Sequence, residues 1–337
     1  MNKMKKTINL SRFLMALFMF AALSLVPFRG QASDIVGDVN NDGNVNVSDV
    51  TLLISKVLAG DTRWDWDMNG DGKVNIADVT ALISSVLSGN ALPGPQGPVM
   101  PDNAVIYTVN GYEFAMVPVE GGTFMMGSEM GIERASPVHQ VTLSSYMIGM
   151  TEVTMGLWKA VTGSYPPYFN TAFDKENTPI YFCSWDQARD FISQLNELTG
   201  LAFHLPTEAQ WEFAARGGNL SHGYKYAGGD DIDEVACYRG NTPVNTTVLV
   251  ATLKPNELGL YDMSGCASEF CEDDFIDYSG EPQIDPLVIA SFSYSRVKVL
   301  RGGSSFRQAY DCTVTTRHNS TTVHGEEATG GGLRLAL

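Results

Sequence analysis

The chain has little that could span a membrane or grip a phosphate backbone. Its longest apolar run, residues 13–26, covers 14 residues, short of the ~20 needed to cross a bilayer. Lys and Arg number only 22 against 38 Asp and Glu, for a net charge of −16. Such a surface repels nucleic acid. Cysteine is absent before residue 183, and only five occur: Cys183, Cys237, Cys266, Cys271 and Cys312. Five is odd, so they cannot all pair with one another. The five histidines (His139, His204, His222, His318, His324) are scattered, with no H-x-x-x-H spacing, so zinc chemistry of that type is excluded. No G-x-S-x-G nucleophile elbow is present. The acidic run Glu272-Asp273-Asp274 reads as a solvated loop rather than a paired-carboxylate site.

The first feature present is a basic start, with Lys3, Lys5, Lys6 and Arg12 ahead of the apolar run and small residues at Gly30 and Ala32. This layout predicts a secretory signal peptide over residues 1–32 and hence a secreted, extracellular or cell-surface protein. Its removal takes away five basic residues and no acid, and the net charge moves from −16 to −21. An exported chain can hold disulfides.

An internal repeat follows. The pattern D-x-N-x-D-G-x-x-N-x-x-D occurs at residues 38–49 and again, 29 residues on, at 67–78. Calcium takes six to eight oxygens from one tight loop. Side chains at positions 1, 3 and 5 (Asp38, Asn40, Asp42; Asp67, Asn69, Asp71) converge on the ion. Gly43 and Gly72 permit the turn. Asn44 and Lys73 offer backbone carbonyls at position 7, Asn46 and Asn75 follow at position 9, and Asp49 and Asp78 close the shell. After each loop an apolar stripe predicts a helix: Val50, Leu53, Ile54, Val57 and Leu58, then Val79, Leu82, Ile83, Val86 and Leu87. Each helix is expected to bury its stripe against the other and to stop at Gly60 or Gly89. With Asp at position 12 and little room for an entering helix, the pair resembles a dockerin. That resemblance implies two bound Ca2+ ions and a cohesin-type partner. Positions 10 and 11, which often face cohesin, are Val47-Ser48 and Ile76-Ala77.

Residues 90–104 hold four prolines and two glycines and read as a semi-extended linker. The expected organisation is a signal peptide over 1–32, a calcium-binding module over 33–89, a linker over 90–105 and one large domain over 106–337. In the large domain, strand signals lie at 117–119, 123–125, 140–143, 297–300 and 332–337. Ser184 with Gln187, and Thr207 with Gln210, form capping boxes ahead of two helices. The first carries Ala188, Phe191, Ile192 and Leu195 and ends at Gly200; the second carries Trp211, Phe213, Ala214 and Ala215 and ends at Gly217-Gly218. A third helix is expected from Glu152 to Val161 behind Thr151. Few helices and many short strands indicate an irregular α+β domain.

The ordered segments VPVEGGTFMMGS (117–128), SPVHQVTLSSYMIGMTEVT (136–154), SWDQARDFISQLNELTGLAFHLPTEAQWEFAARGG (184–218), KPNELGLYDMSG (254–265), VLRGGSS (299–305) and GGLRLAL (331–337) resemble the formylglycine-generating, or sulfatase-modifying-factor, family. The resemblance implies a C-type-lectin-like fold. Enzymes of that family oxidise a sulfatase cysteine to formylglycine with copper held by two thiolates, ligands that suit soft Cu(I). Here the second cysteine position falls on Cys312 and the first on Arg307, which breaks the pair; Cys266 is a conceivable substitute.

The resemblance also implies a Cys271–Cys312 disulfide. Cys237 and Cys266 stand where the family carries other residues; they are open to pairing with each other, which leaves Cys183 as a buried free thiol. The resemblance maps a calcium site onto Asp262, Gly265, Ala267 and Glu269. The reading favoured by the broken pair is a non-catalytic module that offers Phe306, Arg307, Tyr310 and Arg317 to a glycan or protein ligand while the dockerin tethers it. The alternative is a copper-dependent formylglycine-generating oxidase. A carbohydrate-active enzyme lacks an acid/base pair at a recognisable spacing.

Overall fold

The structure is a computed structural model that describes residues 37, 39–40, 45–58, 68–69, 74–88, 99–129, 134–170, 175–242, 248–290, 297–320 and 331–337. The expected signal peptide and most of the linker lie outside the described residues, as do Asp38, Asp42, Asn44, Asp67, Asp71 and Lys73. The chain divides into two compact units between Pro95 and Gln96. No helix among the described residues is long and apolar enough to cross a membrane.

The first unit contains α1 (Val47–Leu58) and α2 (Ile76–Ser88), each starting at loop position 10, inside its repeat and not after it as expected. Val50 and Leu53 pack with Val79 and Leu82, joined by the loop residues Val39 and Met68. The expected stripes are only half buried. Ile54 and Ile83 are partly exposed, and Leu58 and Leu87 are each 82% exposed. Only Val50 and Leu53 of α1 and Val79 and Leu82 of α2 are buried in the shared core, so the far ends of the stripes remain in water.

The second unit is an α+β domain of three three-stranded sheets. The first sheet orders β1 (Val105–Val109), β2 (Tyr112–Val119) and β5 (Tyr146–Gly149), all antiparallel. The second runs β3 (Gly122–Met126), β4 (His139–Leu143) and β7 (Gln283–Ile284), the last pair parallel. The third contains β6 (Glu269–Asp274), β8 (Lys298–Arg301) and β9 (His318–Ser320).

Between β5 and β6 in the chain come α3 (Met155–Thr162), α4 (Trp185–Thr199) and α5 (Glu208–Ala215), followed by a one-turn helix, Ile232–Val235. Both predicted capping boxes form, Ser184 with Gln187 and Thr207 with Gln210. Gly200, at φ 71°, ends α4 in the left-handed conformation. α5 ends at Arg216, just before the predicted glycines.

Helix α3 starts later than expected, capped by Thr154 rather than Thr151. The reason is tertiary. Val153 N–H donates to Leu333 O and Val153 O accepts from Ile180 N–H, each at 2.8 Å, so residues 152–153 stay extended. The predicted C-terminal strand is instead a seam. Its residues bridge to Cys183, Glu269, Ile148 and His204 in turn, and no single partner supplies a continuous ladder. Glu272-Asp273-Asp274 is not a solvated loop: it ends strand β6, with Asp273 and Asp274 buried.

Candidate functional site

The two calcium-type loops are described at their closing ends. Asp49 and Asp78 are fully buried in the first turns of α1 and α2. Asp49 Oδ1 accepts from Asn40 N–H (3.1 Å) and Oδ2 from Asn46 N–H (2.8 Å). Asp78 Oδ1 accepts from Met68 and Asn69 N–H (2.9 and 3.3 Å), and Oδ2 from Asn75 N–H (2.6 Å). Each position-12 carboxylate therefore clasps its own loop from inside. Asn46 and Asn75 turn their Oδ1 atoms onto Ser48 N–H (2.9 Å) and Ala77 N–H (2.8 Å), as helix caps. An oxygen-only donor set with buried anionic closure suits a hard cation.

In the large domain, charge is buried in a connected network. Arg334 spans Glu269, which also accepts from Trp211 Nε1–H at 2.7 Å. Arg301 pairs with Glu212, and Arg317 with Glu208 at 2.6 Å. For Glu212, burial alone would raise the carboxyl pKa, but Arg301 and Arg216 outweigh it and hold it below the usual range. Arg317 also donates to the carbonyls of Arg134 and Ile276 and stacks on Tyr278. It is 1% exposed, so it is a core residue and not part of a ligand surface, contrary to expectation.

The turn that should present the copper pair is tightly built. Gly302 and Gly303 have φ of 87° and 73°. A Cβ on Gly303 would lie 2.7 Å from Cys312 Sγ and 2.8 Å from Asp311 O, so only glycine fits there. Arg307 is exposed just beyond the turn; its N–H donates to Ser304 O (2.8 Å) and its carbonyl accepts from Arg239 N–H (2.9 Å). Cys312, at the end of the 3-10 turn Ala309–Cys312, is buried. Burial, reinforced by Asp311, pushes its thiol up to about 12. At the family's two positions the chain offers one thiol, Cys312, and the guanidinium of Arg307, which does not fit a two-thiolate copper site.

All five cysteines are free thiols, so neither expected disulfide is present. Cys271 sits in the core with Trp211 and Val299, whereas Cys312 packs with Tyr226, Val235 and Ala236. Cys183 is buried and donates to Gly331 O at 3.2 Å. Cys266 does not turn toward Cys312: its Sγ lies with the carboxylates of Glu152 and Asp262, the three ligand atoms within 4.8 Å of one another. The expected calcium set is thus divided. Asp262 belongs to that trio, while Glu269 is committed to Arg334 and Trp211. Sequence reasoning missed Glu152, which lies 110 positions before Asp262 and stood within a predicted helix.

Beside Cys312 the surface is aromatic. Phe306 and Tyr310 are 67% and 54% exposed, and Phe182 is 47% exposed. Phe182 stacks on Phe306 with ring centroids 6.4 Å apart, and Tyr181 and Tyr168 back Phe182 edge-on. Phe182, missed in the sequence, reaches this ledge because its neighbour Cys183 is pinned to Gly331.

Comparison with known proteins fits this architecture. Residues 36–87 match the Dockerin type I domain; such domains typically bind calcium and cohesin modules. Residues 108–337 match the Sulfatase-modifying factor enzyme 1-like domain. The chain is 31% identical over 202 residues to the chaperone protein LppX of Paenibacillus barcinonensis, covering 46% of this chain and 70% of that protein. It is 28% identical over 237 residues to serine/threonine-protein kinase pkn1 of Chlamydia pneumoniae, covering 62% of this chain but 36% of the kinase. It is 34% identical over 145 residues to the formylglycine-generating enzyme of Streptomyces coelicolor, covering 39% and 43% of the two chains. Among solved structures, Treponema denticola variable protein 1 superposes with a TM-score of 0.62 at 30% identity, covering 70% of this chain and 99% of that one. PvdO from Pseudomonas aeruginosa gives 0.57 at 20% identity, covering 70% and 99%, a likeness of fold. The chain belongs to the sulfatase-modifying-factor family, with a dockerin type I domain ahead of the family domain.

Proposed function

We propose that this is an exported, modular protein whose dockerin is a calcium-dependent tether and whose large domain is a non-catalytic ligand-binding module. The observation that carries the reading is the surface at the family's copper position. There Arg307 stands in place of a thiol, and the outermost groups are Phe306 and Tyr310, with Phe182 stacked alongside. A flat, exposed aromatic ledge stacks on a ligand's apolar faces and gains from burying them, and the guanidinium of Arg307 at its rim adds a fork of donors. A glycan or a peptide supplies such faces.

The tether reading is supported by the outward ends of the two dockerin helices. Val47 and Ile76 are 69% and 68% exposed, matching the equal exposure of Leu58 and Leu87. The two repeats thus present near-identical apolar faces, which suits docking to a cohesin-type module. The test is calorimetry of the full chain. Titration with a cohesin module should give binding in calcium and none in EDTA. A panel of glycans and peptides should include at least one ligand lost in Phe306→Ala and Tyr310→Ala. A panel with no ligand for the large domain, together with copper-dependent turnover of a sulfatase peptide, would overturn the reading.

A further inference from the structure

We infer that Glu152, Asp262 and Cys266 form a buried site for a divalent transition metal, zinc being the best match, within the core of the large domain. The three residues are 2%, 5% and 3% exposed, and their ligand atoms all lie within 4.8 Å of one another. Tetrahedral zinc, with Zn–O of about 2.0–2.2 Å and Zn–S of about 2.3 Å, holds its ligands roughly 3.3–3.7 Å apart. Small side-chain rotations therefore close this trio on one ion.

A second observation points to a missing cation. Glu152 Oε1 accepts from Ala267 N–H at 3.1 Å and the carboxylate faces the Cys266 thiol, but Oε2 is buried with no hydrogen-bond partner. An under-bonded buried carboxylate is costly. The nearby guanidinium makes no hydrogen bond to it. Arg334 gives Nε and Nη2 to Glu269, a further Nη2 bond to Tyr261 O and an Nη1 bond to Gly149 O. Asp262 Oδ2 accepts only the backbone N–H of Ala251, at 2.6 Å. Two carboxylates and a thiol are thus gathered around a single nearby cation, Arg334, whose charge is engaged first by Glu269; a divalent ion supplies positive charge in direct contact.

The donor set selects the metal. Calcium takes six to eight oxygens and gains little from sulfur, whereas one thiolate with two carboxylates suits a borderline ion. Cys237 stands next to the trio, its carbonyl accepting from Cys266 N–H at 2.8 Å. It is partly exposed and its thiol lies outside the 4.8 Å grouping, so it marks a point of entry and leaves the fourth position open. Binding sends the Cys266 thiol proton to solvent, and nothing is oxidised or reduced. Asp262 is shared with the calcium set expected from the family resemblance, so the zinc site replaces that one.

The test uses the full chain, stripped with a chelator, kept reduced and held in saturating calcium. Cobalt(II) titration should give one equivalent with a thiolate-to-cobalt charge-transfer band, which the oxygen-only dockerin loops cannot produce, and zinc should abolish it. Cys266→Ser should remove the band, and Glu152→Gln should weaken binding at least tenfold. No band in the reduced wild-type protein would overturn the proposal. So would a band unchanged in a folded Cys266→Ser protein, or a Cys237–Cys266 disulfide mapped in the exported protein.

Discussion

Arg334 closes on Glu269 with Nη2 2.7 Å from Oε1 and Nε 3.0 Å from both oxygens, and neither side chain reaches solvent. This pair ties the C-terminal seam to strand β6. Removing one partner leaves the other charge buried and alone. Glu269→Gln is expected to destabilise the large domain by about 3–5 kcal/mol, seen as a lower denaturation midpoint. Adding Arg334→Met should recover part of that loss, since the unpaired buried guanidinium is then gone.

The dockerin should fold through calcium. Asp38→Ala with Asp67→Ala removes position 1 from both loops, and calcium-induced helical circular dichroism from residues 35–89 should disappear. Two tight calcium sites persisting by calorimetry in that variant would show the loop assignment to be wrong.

If the two apolar helix faces are equivalent docking surfaces, Leu58→Asp alone should weaken cohesin binding only about twofold, by halving the number of productive orientations. Leu58→Asp with Leu87→Asp should lose it almost entirely. Surface plasmon resonance on these two variants and on Leu87→Asp alone separates this outcome from a single-face mode, in which one of the two single substitutions would be as damaging as the pair.

Stability should fall as pH rises toward neutrality. Burial, with Glu208 next in effect, raises the Asp273 carboxyl from 3.8 to about 7. The native state then binds more protons than the unfolded chain between about pH 4 and 7, so the slope of unfolding free energy with pH is negative. The contribution is complete below the unfolded value and lost through the folded one, on the order of 2–4 kcal/mol. Asp273→Asn should flatten urea midpoints measured from pH 4 to 7. Glu212, held low by Arg301 and Arg216 once burial is outweighed, acts in the opposite direction and only below about pH 4.5.

Local signals in the sequence were good guides. Ser184 with Gln187 and Thr207 with Gln210 place two helix starts because the bonds that set them span three residues. The dockerin helices follow for the same reason. What a single sequence hides is long-range. Thr154, not Thr151, caps α3 because Leu333 and Ile180 hold Val153 extended. Arg317 reads as surface because arginine is rarely fully buried without a partner, and its partner Glu208 lies 109 residues away. The cysteines misled for a similar reason: the resemblance supplied a pairing, but Cys271 and Cys312 pack in separate clusters. Glu152, Asp262 and Cys266 meet only once the extended residues before α3 run beside the loop before β6.

The account turns on Arg307 standing where the family pair needs a thiol to partner Cys312, and turnover measures that most directly. Copper-loaded full-length protein, with oxygen and a cysteine-containing sulfatase peptide, should yield no formylglycine above a copper-only control by mass spectrometry. Catalytic formylglycine formation that vanishes in Cys312→Ser would contradict the non-catalytic reading and establish an oxidase.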